Sequence, residues 1–362
     1  MRLLLWYWGR RGAGGQLTQA LAQALARRED VAVALSLSAQ AELLEPIRAL
    51  DLPVDAVPTY ASAAGFAAGF LRVPGLAARL RRQALDFRAD AVVSVMTHLW
   101  TPLIAPGLKR AGLRYVPMVH DAEPHPGDPG FLWEWRLTRE LDAAESAIAF
   151  SDAVAAGIRR RRPHLVVHRL PLGALLSDAA PAVPRMAGQG VRFVNLGRLR
   201  AYKGLDLLRD AWALFQPRFP GARLLVAGEG DADALAPGLA QLPGVEVQAR
   251  WLSETEIATF IRDADAVVLP YREASQSGVA PVAHGLGVPV VATPVGGLSE
   301  QVRDGVDGLL ARAMTAEALA EAMATLCDPA RRAVLAEGAR ETGRRLNDWD
   351  GMAARLVTML AR

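Results

Sequence analysis

Cysteine, lysine and long apolar runs are scarce in this chain of 362 residues. Cys327 is the single cysteine, which excludes an internal disulfide and suits a reducing compartment. No apolar run reaches the roughly 18 residues of a membrane-spanning helix, and the first residues have the pattern of a strand rather than of a signal peptide. These absences predict a cytoplasmic protein, either free or held peripherally on the inner face of the cell membrane.

The charges are nearly balanced, with a formal net charge of +3, and only Lys109 and Lys203 among the 41 basic residues are lysines. Mild basicity suits phosphate-bearing ligands or an anionic membrane surface. Because no nucleic-acid-binding motif is present, we expect no nucleic-acid partner. Hydrophobic residues make up 51% of the chain, which is enough to fill two cores, and the length fits two domains.

The first half of the chain opens as strand, glycine-rich turn, helix and strand. Residues 3–8 and 31–35 are apolar runs, and residues 9–15 form the turn before a helical pattern at 16–27. This order is the usual opening of a nucleotide-binding α/β fold, but the turn fits G-x-G-x-x-G too poorly for a dinucleotide cofactor. Gly14 and Gly15 either approach a ligand closely or satisfy a tight turn that needs glycine backbone angles.

Two further apolar strands are predicted at residues 91–96 and 115–119, and the second ends at His120. Ligands of open α/β sheets lie at the carboxyl ends of the strands, so His120 lies where chemistry is expected. Asp121 either fixes the tautomer of His120 or caps the next turn. The acids and histidines of residues 120–128 match no ordinary zinc spacing. The sequence therefore predicts no metal site here.

Residues 61–88 combine apolar side chains with basic ones at helical spacing, among them Arg72, Arg79, Arg81 and Arg82. This pattern fits either a core-facing helix with a solvated basic side or a helix that lies on a membrane surface. Pro74 and Gly75 interrupt the segment, which argues against one long helix.

In the second half, residues 191–204 have the pattern of a strand, a tight turn and a helix start. The strand stops at Gly197, the basic residues Arg198 and Lys203 follow, and Gly204 begins a helical pattern. Turn amides and a helix N-terminus attract anions. A lysine in an arginine-rich chain suits a site that needs a compact charge, the alternative being an ordinary surface lysine after a turn.

Three further motifs come at characteristic separations after this turn. They are an apolar strand at 264–270, the loop Tyr-Arg-Glu-Ala-Ser-Gln-Ser-Gly at 271–278, and Gly-Val-Pro-Val-Val-Ala-Thr-Pro-Val-Gly-Gly-Leu-Ser-Glu at 287–300. Their order over residues 191–310 resembles the donor-binding domain of the family 4 retaining glycosyltransferases, which have the GT-B fold. The loop resembles a subgroup that carries Y-x-E-A-[ST]-Q-S-G.

This resemblance implies an α/β fold with two Rossmann-like domains that face each other across a cleft. The first domain would comprise residues 1–172 and the donor-binding domain residues 173–347, with an Ala- and Pro-rich linker within 171–190. A C-terminal helix in residues 348–362 would cross back to the first domain.

The resemblance also implies metal-independent transfer of a hexose from a UDP- or GDP-sugar to a saccharide or glycolipid hydroxyl, in bacterial cell-surface polysaccharide synthesis. The partners would be the nucleotide-sugar donor, the saccharide or lipid-linked acceptor and a peripheral membrane surface, without a cofactor. Four residues would act in catalysis: His120, Arg198, Lys203 and Glu273. The donor would be held by Gly14, Gly15, Gly197, Arg198, Lys203, Trp251, Leu252, Ser277, Gly278, Val279 and Glu300.

The donor loop departs from the family's Glu-x7-Glu motif. Alignment on the glycine and proline of residues 287–289 places Ala274 and Val282 at the two glutamate positions. Glu273 would serve as the first glutamate if the loop shifts by one residue, and Glu300 would replace the second at the ribose or base. Two rival functions stay open: a nucleotide-sugar 2-epimerase on the same fold, and a catalytically degenerate partner subunit that binds the donor.

Two Asp-Ala-Asp triplets, at residues 231–233 and 263–265, mimic the metal-binding motif of another glycosyltransferase class. The first opens a predicted helix and the second precedes a buried strand. We therefore expect structural roles for both.

Overall fold

The computed structural model describes residues 1–124, 130–176 and 190–361. Their contacts divide the chain into two units, Met1–Gly173 with Asp348–Arg362 (unit 1) and Ala174–Asn347 (unit 2). Each unit holds one parallel sheet in which helices alternate with strands along the chain. Most of the predicted linker, residues 177–189, lies outside the described residues, as do residues 125–129.

Unit 1 is built on a seven-stranded sheet in the order β3-β2-β1-β4-β5-β6-β7. Its strands are β1 Arg2–Tyr7, β2 Ala32–Ser38, β3 Val54–Val57, β4 Ala91–Ser94, β5 Tyr115–Val119, β6 Ser146–Ala149 and β7 Val166–Arg169. Leu4 pairs with Ala34 on one side and with Val92 on the other. The order therefore reverses between β1 and β4, which is where open parallel sheets bind ligands.

The helices of unit 1 are α1 Ala13–Ala26, α2 Leu44–Arg48, α3 Ala63–Gly69, α4 Val73–Asp86, α5 Thr101–Arg110, α6 Gly130–Ala143 and α7 Asp152–Arg161. A 3-10 turn, Phe70–Arg72, separates α3 from α4, and Pro74 lies in the first turn of α4. Proline is tolerated there because the amide it lacks has no partner within the helix. The segment is thus not one long helix, as predicted, but the break lies at residues 70–72, and Pro74 and Gly75 are part of α4.

Unit 2 holds a six-stranded sheet in the order β10-β9-β8-β11-β12-β13. Its strands are β8 Arg192–Leu196, β9 Arg223–Ala227, β10 Val245–Gln248, β11 Ala266–Leu269, β12 Val290–Ala292 and β13 Gly308–Leu310. Its helices are α8 Leu205–Phe215, α9 Ala232–Leu235, α10 Glu254–Arg262, α11 Val279–Gly285, α12 Leu298–Gln301, α13 Ala316–Thr325 and α14 Pro329–Leu346. Phe193 packs edge-on against Phe215 in a core that also buries Trp212.

The C-terminal helix, α15 Trp349–Leu360, belongs to unit 1, where it packs against α1. Asp350 forms an ion pair with Arg27, which directly follows α1, and Arg114 donates to the Leu360 carbonyl. Met352 and Leu356, which the helical spacing predicts on one face, are buried. None of the helices in the described part of the chain combines the length and the apolar character that crossing a bilayer requires.

Candidate functional site

The turn after β8 brings the ammonium group of Lys203 close to the backbone of Gly197. Gly197 has φ +105°, and a Cβ at this residue would lie 2.9 Å from Lys203 Nζ. The neighbouring Gly228 approaches so closely that a Cβ there would lie 2.0 Å from the Gly197 carbonyl oxygen. Two glycines are therefore needed for the turn to close around Lys203, and the structure brings the predicted Gly197 and Lys203 together.

Lys203 is held in place by a residue that the sequence analysis missed. Its Nζ lies 5.0 Å from the centroid of the Tyr271 ring, within the range of a cation–π interaction. Tyr271 is only 2% exposed, and its carbonyl accepts a hydrogen bond from Thr293. Tyr271 is thus a fixed platform under the ammonium group. Arg198, the second predicted phosphate ligand, has an exposed side chain directly after Gly197.

Gly204 fixes the path of the chain from Lys203 into α8. It has φ +67°, and a Cβ here would lie 1.9 Å from the carbonyl oxygen of Pro270 at the end of β11. Only glycine meets both conditions. Arg272, in the next loop, donates its backbone N–H to the Tyr202 carbonyl and forms an ion pair with Asp206. Residues 202–206 and 270–272 are therefore packed as one assembly.

The loop at 271–278 rests on the glycine pair of the last predicted motif. The Ala274 carbonyl accepts the N–H of Gly297 at 2.9 Å, and a Cβ on Gly296 would lie 2.1 Å from the same oxygen. Ala274 is buried, whereas the side chain of Glu273 is exposed. Glu273 thus occupies the outward position of this loop.

Two of the three predicted amide donors of this loop are occupied by side chains of the protein. Ser277 donates its N–H to Oε1 of Gln301 at 2.7 Å, and Nε2 of Gln301 donates to the Ser277 carbonyl at 2.9 Å. Val279 donates its N–H to Oγ of Ser277. The expectation that Ser277, Gly278 and Val279 all offer their amides to a diphosphate is therefore corrected for Ser277 and Val279 in this conformation. Gln301 is a second residue that the sequence analysis missed.

The remaining predicted residues of unit 2 differ in exposure. Trp251 is 54% exposed after β10, while Leu252 is buried beside it. Ser253 caps α10 in a reciprocal capping box with Glu256, which fixes the backbone that follows. Glu300 lies exposed on α12. Val282 is buried in the apolar core, so its side chain offers no polar group to a ribose.

Gly14 and Gly15 lie inside α1 rather than in a turn. Both are buried, and a Cβ on Gly14 would lie 2.6 Å from the Tyr7 ring. The positive φ belongs to Gly12, at +85°. Gly14 therefore makes room for Tyr7, whose burial raises its pKa to about 12, while a Cβ on Gly15 would lie 3.3 Å from Leu43.

His120 lies at the end of β5, as predicted, but its tautomer is fixed differently. Its Nε2 lies 3.0 Å from the Val95 carbonyl oxygen, and its ring packs against Phe150. A carbonyl only accepts, so Nε2 carries the proton and Nδ1 is the acceptor nitrogen. Burial lowers the pKa of His120, which favours the neutral ring. The Val95 carbonyl therefore sets the tautomer that was assigned to Asp121.

A buried polar network joins α6 to the first residue of β5 and to the segment that follows β4. Glu140 accepts hydrogen bonds from the Tyr115 hydroxyl at 2.7 Å and from Thr97 at 2.8 Å, and burial raises its pKa. His98 accepts the N–H of Trp100, and burial lowers its pKa to about 4. These side chains come from separate elements, so sequence spacing alone does not connect them.

The Asp-Ala-Asp triplets have structural roles. Asp231 caps α9 by accepting the N–H of Ala234. Asp265 accepts the N–H of Arg192 at 2.7 Å and lies 3.3 Å from Arg332. Across residues 1–124, 130–176 and 190–361, no three His, Cys, Asp or Glu side chains are grouped to hold a metal ion. Metal independence of the reaction stays a prediction.

Models of known protein families match residues in both units. Residues 14–173 match the model described as Glycosyltransferase Family 4, and residues 190–328 match Glycosyl transferases group 1. Each half of the chain is therefore similar to a glycosyltransferase domain. A relative from Xylanimonas cellulosilytica, D-inositol 3-phosphate glycosyltransferase, is 32% identical over 248 residues. That match covers 60% of this chain and 58% of the relative, so it spans little more than half of the relative's length.

Solved structures show the same fold over nearly the whole chain. Alr3699/HepE of Anabaena, in complex with UDP and glucose, has a TM-score of 0.76 and 16% identity, covering 100% of this chain and 99% of its own. Sucrose-phosphate synthase of Thermosynechococcus elongatus has a TM-score of 0.76 and 19% identity, covering 99% and 98%. At these identities the likeness shows the fold alone. The prediction of two Rossmann-like domains of the GT-B class is confirmed.

Proposed function

We propose that this protein transfers a hexose from a nucleotide diphosphate sugar to a hydroxyl group of a saccharide or glycolipid, with retention of configuration. The observation that carries this proposal is the position of Lys203, whose ammonium group lies against the Gly197 turn and over the Tyr271 ring. A fixed cation at a glycine turn is what a departing diphosphate requires. The complex of Alr3699/HepE makes UDP the first nucleotide to test.

In this proposal, Lys203 and Arg198 stabilise the negative charge that develops on the leaving diphosphate. Little free energy is needed to orient Lys203 during the reaction, because Tyr271 and the Gly204 turn already hold it in place. Arg198, being exposed, closes on the phosphates when they bind. No metal ion takes part in the proposed reaction.

His120 positions the sugar in this proposal rather than acting as an essential base. The bond from its Nε2 proton to the Val95 carbonyl holds the ring in place, and in this proposal the ring contacts a hydroxyl group of the transferred sugar. In a retaining transfer, the departing phosphate leaves from the face that the acceptor attacks, so the phosphate itself takes the acceptor proton. The exposed carboxylate of Glu273 interacts with the transferred sugar in this proposal.

The acceptor is proposed as a class only, namely a saccharide or lipid-linked saccharide of a bacterial cell surface. The name of the Xylanimonas relative adds D-inositol 3-phosphate as a compound to include. It is a small soluble acceptor, so it also separates transfer from any requirement for lipid.

The test is an assay of purified protein with a panel of UDP- and GDP-sugars, with and without EDTA. Nucleoside diphosphate release together with a glycosylated product of retained anomeric configuration supports the proposal. Lys203→Ala should abolish most of this release. Lys109→Ala is the matched control, because Lys109 is the only other lysine and bonds the Asp142 carbonyl in unit 1. An epimerised nucleotide sugar as product, or nucleotide binding without turnover of any sugar, would refute it.

A further inference from the structure

Two neighbouring ring side chains of unit 1 have buried N–H groups without a hydrogen-bond partner in the part of the chain that the structure describes. These groups are Nε1 of Trp100 and Nε2 of His98. Trp100 is fully buried, His98 is 7% exposed, and their ring centroids lie 5.0 Å apart. Because Nδ1 of His98 accepts the N–H of Trp100 at 3.1 Å, the neutral ring carries its proton on Nε2. Both groups are therefore hydrogen-bond donors, and a buried donor without an acceptor is destabilising.

Aromatic rings surround these two donors. The Tyr60 ring lies 5.7 Å from the His98 ring and 5.6 Å from the Trp100 ring. Phe66 stacks on Trp100 with 5.6 Å between the ring centroids and 8° between the planes. We call His98, Trp100, Tyr60 and Phe66 the aromatic cluster. It combines flat apolar faces with N–H donors, and a saccharide offers the complementary groups, namely an apolar ring face and hydroxyl oxygens.

The aromatic cluster lies at the carboxyl ends of the strands, where open parallel sheets bind their ligands. His98 and Trp100 follow β4, and Tyr60 follows β3. The segment after β4 also holds His120, whose Nε2 lies 3.0 Å from the Val95 carbonyl oxygen. One short segment therefore connects the aromatic cluster to the residue that we propose to contact the transferred sugar.

The short helix α3 covers the Trp100 ring. Its sequence is Ala-Ala-Gly-Phe-Ala-Ala-Gly, and a helix so short and rich in glycine has little stability of its own. The side chains at 64, 67 and 68 are exposed, so α3 meets the cluster through Phe66 and Gly69. A Cβ on Gly69 would lie 2.4 Å from the Trp100 ring, so glycine is needed for this close approach. Few contacts are therefore lost when α3 moves away from Trp100.

We propose that the aromatic cluster is a saccharide subsite, which binds a pyranose ring of the acceptor when α3 moves aside. The apolar face of the sugar takes the place of Phe66 on Trp100, and the N–H groups of His98 and Trp100 donate to hydroxyl oxygens of the acceptor. The observed saccharide affinity is then reduced by the fraction of molecules in which Phe66 has left the Trp100 ring. This inference rests on the proposed transfer reaction and names a subsite for its acceptor.

The experiment is calorimetric titration of the full chain with methyl α- and β-pyranosides of glucose, galactose and mannose, with and without UDP. Phe66→Ala uncovers the Trp100 face, so pyranoside affinity should rise by about fivefold. Phe70→Ala is the matched control, because the Phe70 ring meets Trp100 edge-on and leaves Phe66 in place, so affinity should not change. Trp100→Phe keeps an aromatic ring in the core but removes the Nε1 donor, so affinity should fall by about tenfold.

Circular dichroism and thermal unfolding check that each variant folds. Undetectable pyranoside binding by Phe66→Ala would overturn the subsite. Wild-type pyranoside affinity in Trp100→Phe, together with a changed melting temperature, would also overturn it, because the N–H groups would then hold only internal water.

The transfer assay separates this inference from the proposed function. If product forms and Trp100→Phe leaves the KM for the acceptor unchanged, the subsite is wrong and the transfer reaction stands. If the variants change pyranoside affinity as expected but no nucleoside diphosphate is released from any donor, the transfer reaction is wrong and the saccharide site stands.

Discussion

Replacing Gln301 by leucine tests whether the loop at 271–278 needs its hydrogen bonds to this side chain in order to bind a nucleotide. The Gln301 amide makes two hydrogen bonds to the backbone of Ser277, which is 2% exposed. Leucine keeps a similar volume but removes both bonds, so a buried N–H and a buried carbonyl lose these partners. The same loop carries Tyr271, which holds Lys203, and we therefore expect loop order and phosphate affinity to fall together.

The expected size follows from the two lost bonds. A buried backbone group left without a partner costs about 1–3 kcal/mol. Since the loop can relax toward water, we take a total near the lower end, about 2 kcal/mol. If binding must restore the loop, this converts to a nucleoside diphosphate affinity lower by roughly 30-fold.

The assay is calorimetric titration of UDP and GDP into the purified variants. Gln301→Glu should give an intermediate loss, because an ionised carboxylate accepts the Ser277 N–H but cannot donate to the carbonyl. Gln83→Leu is the control. It removes a side-chain amide bond to the Leu35 carbonyl in unit 1, so it should lower stability and leave nucleotide affinity unchanged.

Wild-type affinity in Gln301→Leu would refute this reasoning. Tighter binding would refute it in a more informative way. It would mean that Gln301 masks the Ser277 amide, which a diphosphate then uses once the side chain is gone.

Four further outcomes are expected. Lys203→Ala should lower nucleoside diphosphate release by about 10²-fold or more, with Lys203→Arg restoring only part, and full activity of the alanine variant would contradict the clamp. His120→Ala should lower turnover sharply while calorimetry finds nearly unchanged nucleotide affinity, whereas equal losses would make His120 a structural residue. Burial lowers the pKa of His98 from 6.5 to about 4, so the unfolded chain takes up the proton first. The contribution of His98 to the free energy of unfolding should be fully present above pH 6.5 and decrease by about 3 kcal/mol as the pH falls toward 4. Denaturant unfolding of His98→Gln should show a smaller decrease in the free energy of unfolding over the same pH range. Gly204→Ala should destabilise unit 2 by about 2 kcal/mol or more, because its Cβ would lie 1.9 Å from the Pro270 carbonyl oxygen, and an unchanged unfolding midpoint would show that the turn relaxes.

Much of the fold was predictable because its strands are buried and therefore apolar. The strand at Tyr115–Val119 has the predicted bounds, and the strand–turn–helix at Gly197 formed as expected. Four strands were not predicted, namely β3, β7, β12 and β13. They have three or four residues each, too few for periodicity to register, and hydrogen bonding to a neighbouring strand defines them.

The sequence by itself determined the alternation of strands and helices, the glycines that allow the backbone to turn, and the presence of Lys203 after one such turn. These features are local, since each depends on residues a few positions apart. The tertiary structure alone decided that Tyr271 lies under Lys203, that Gln301 takes the Ser277 amide, and that the Val95 carbonyl sets the tautomer of His120. Each of those contacts joins residues more than twenty positions apart, and only the parallel packing of strands brings the ends of separate elements to one edge of a sheet.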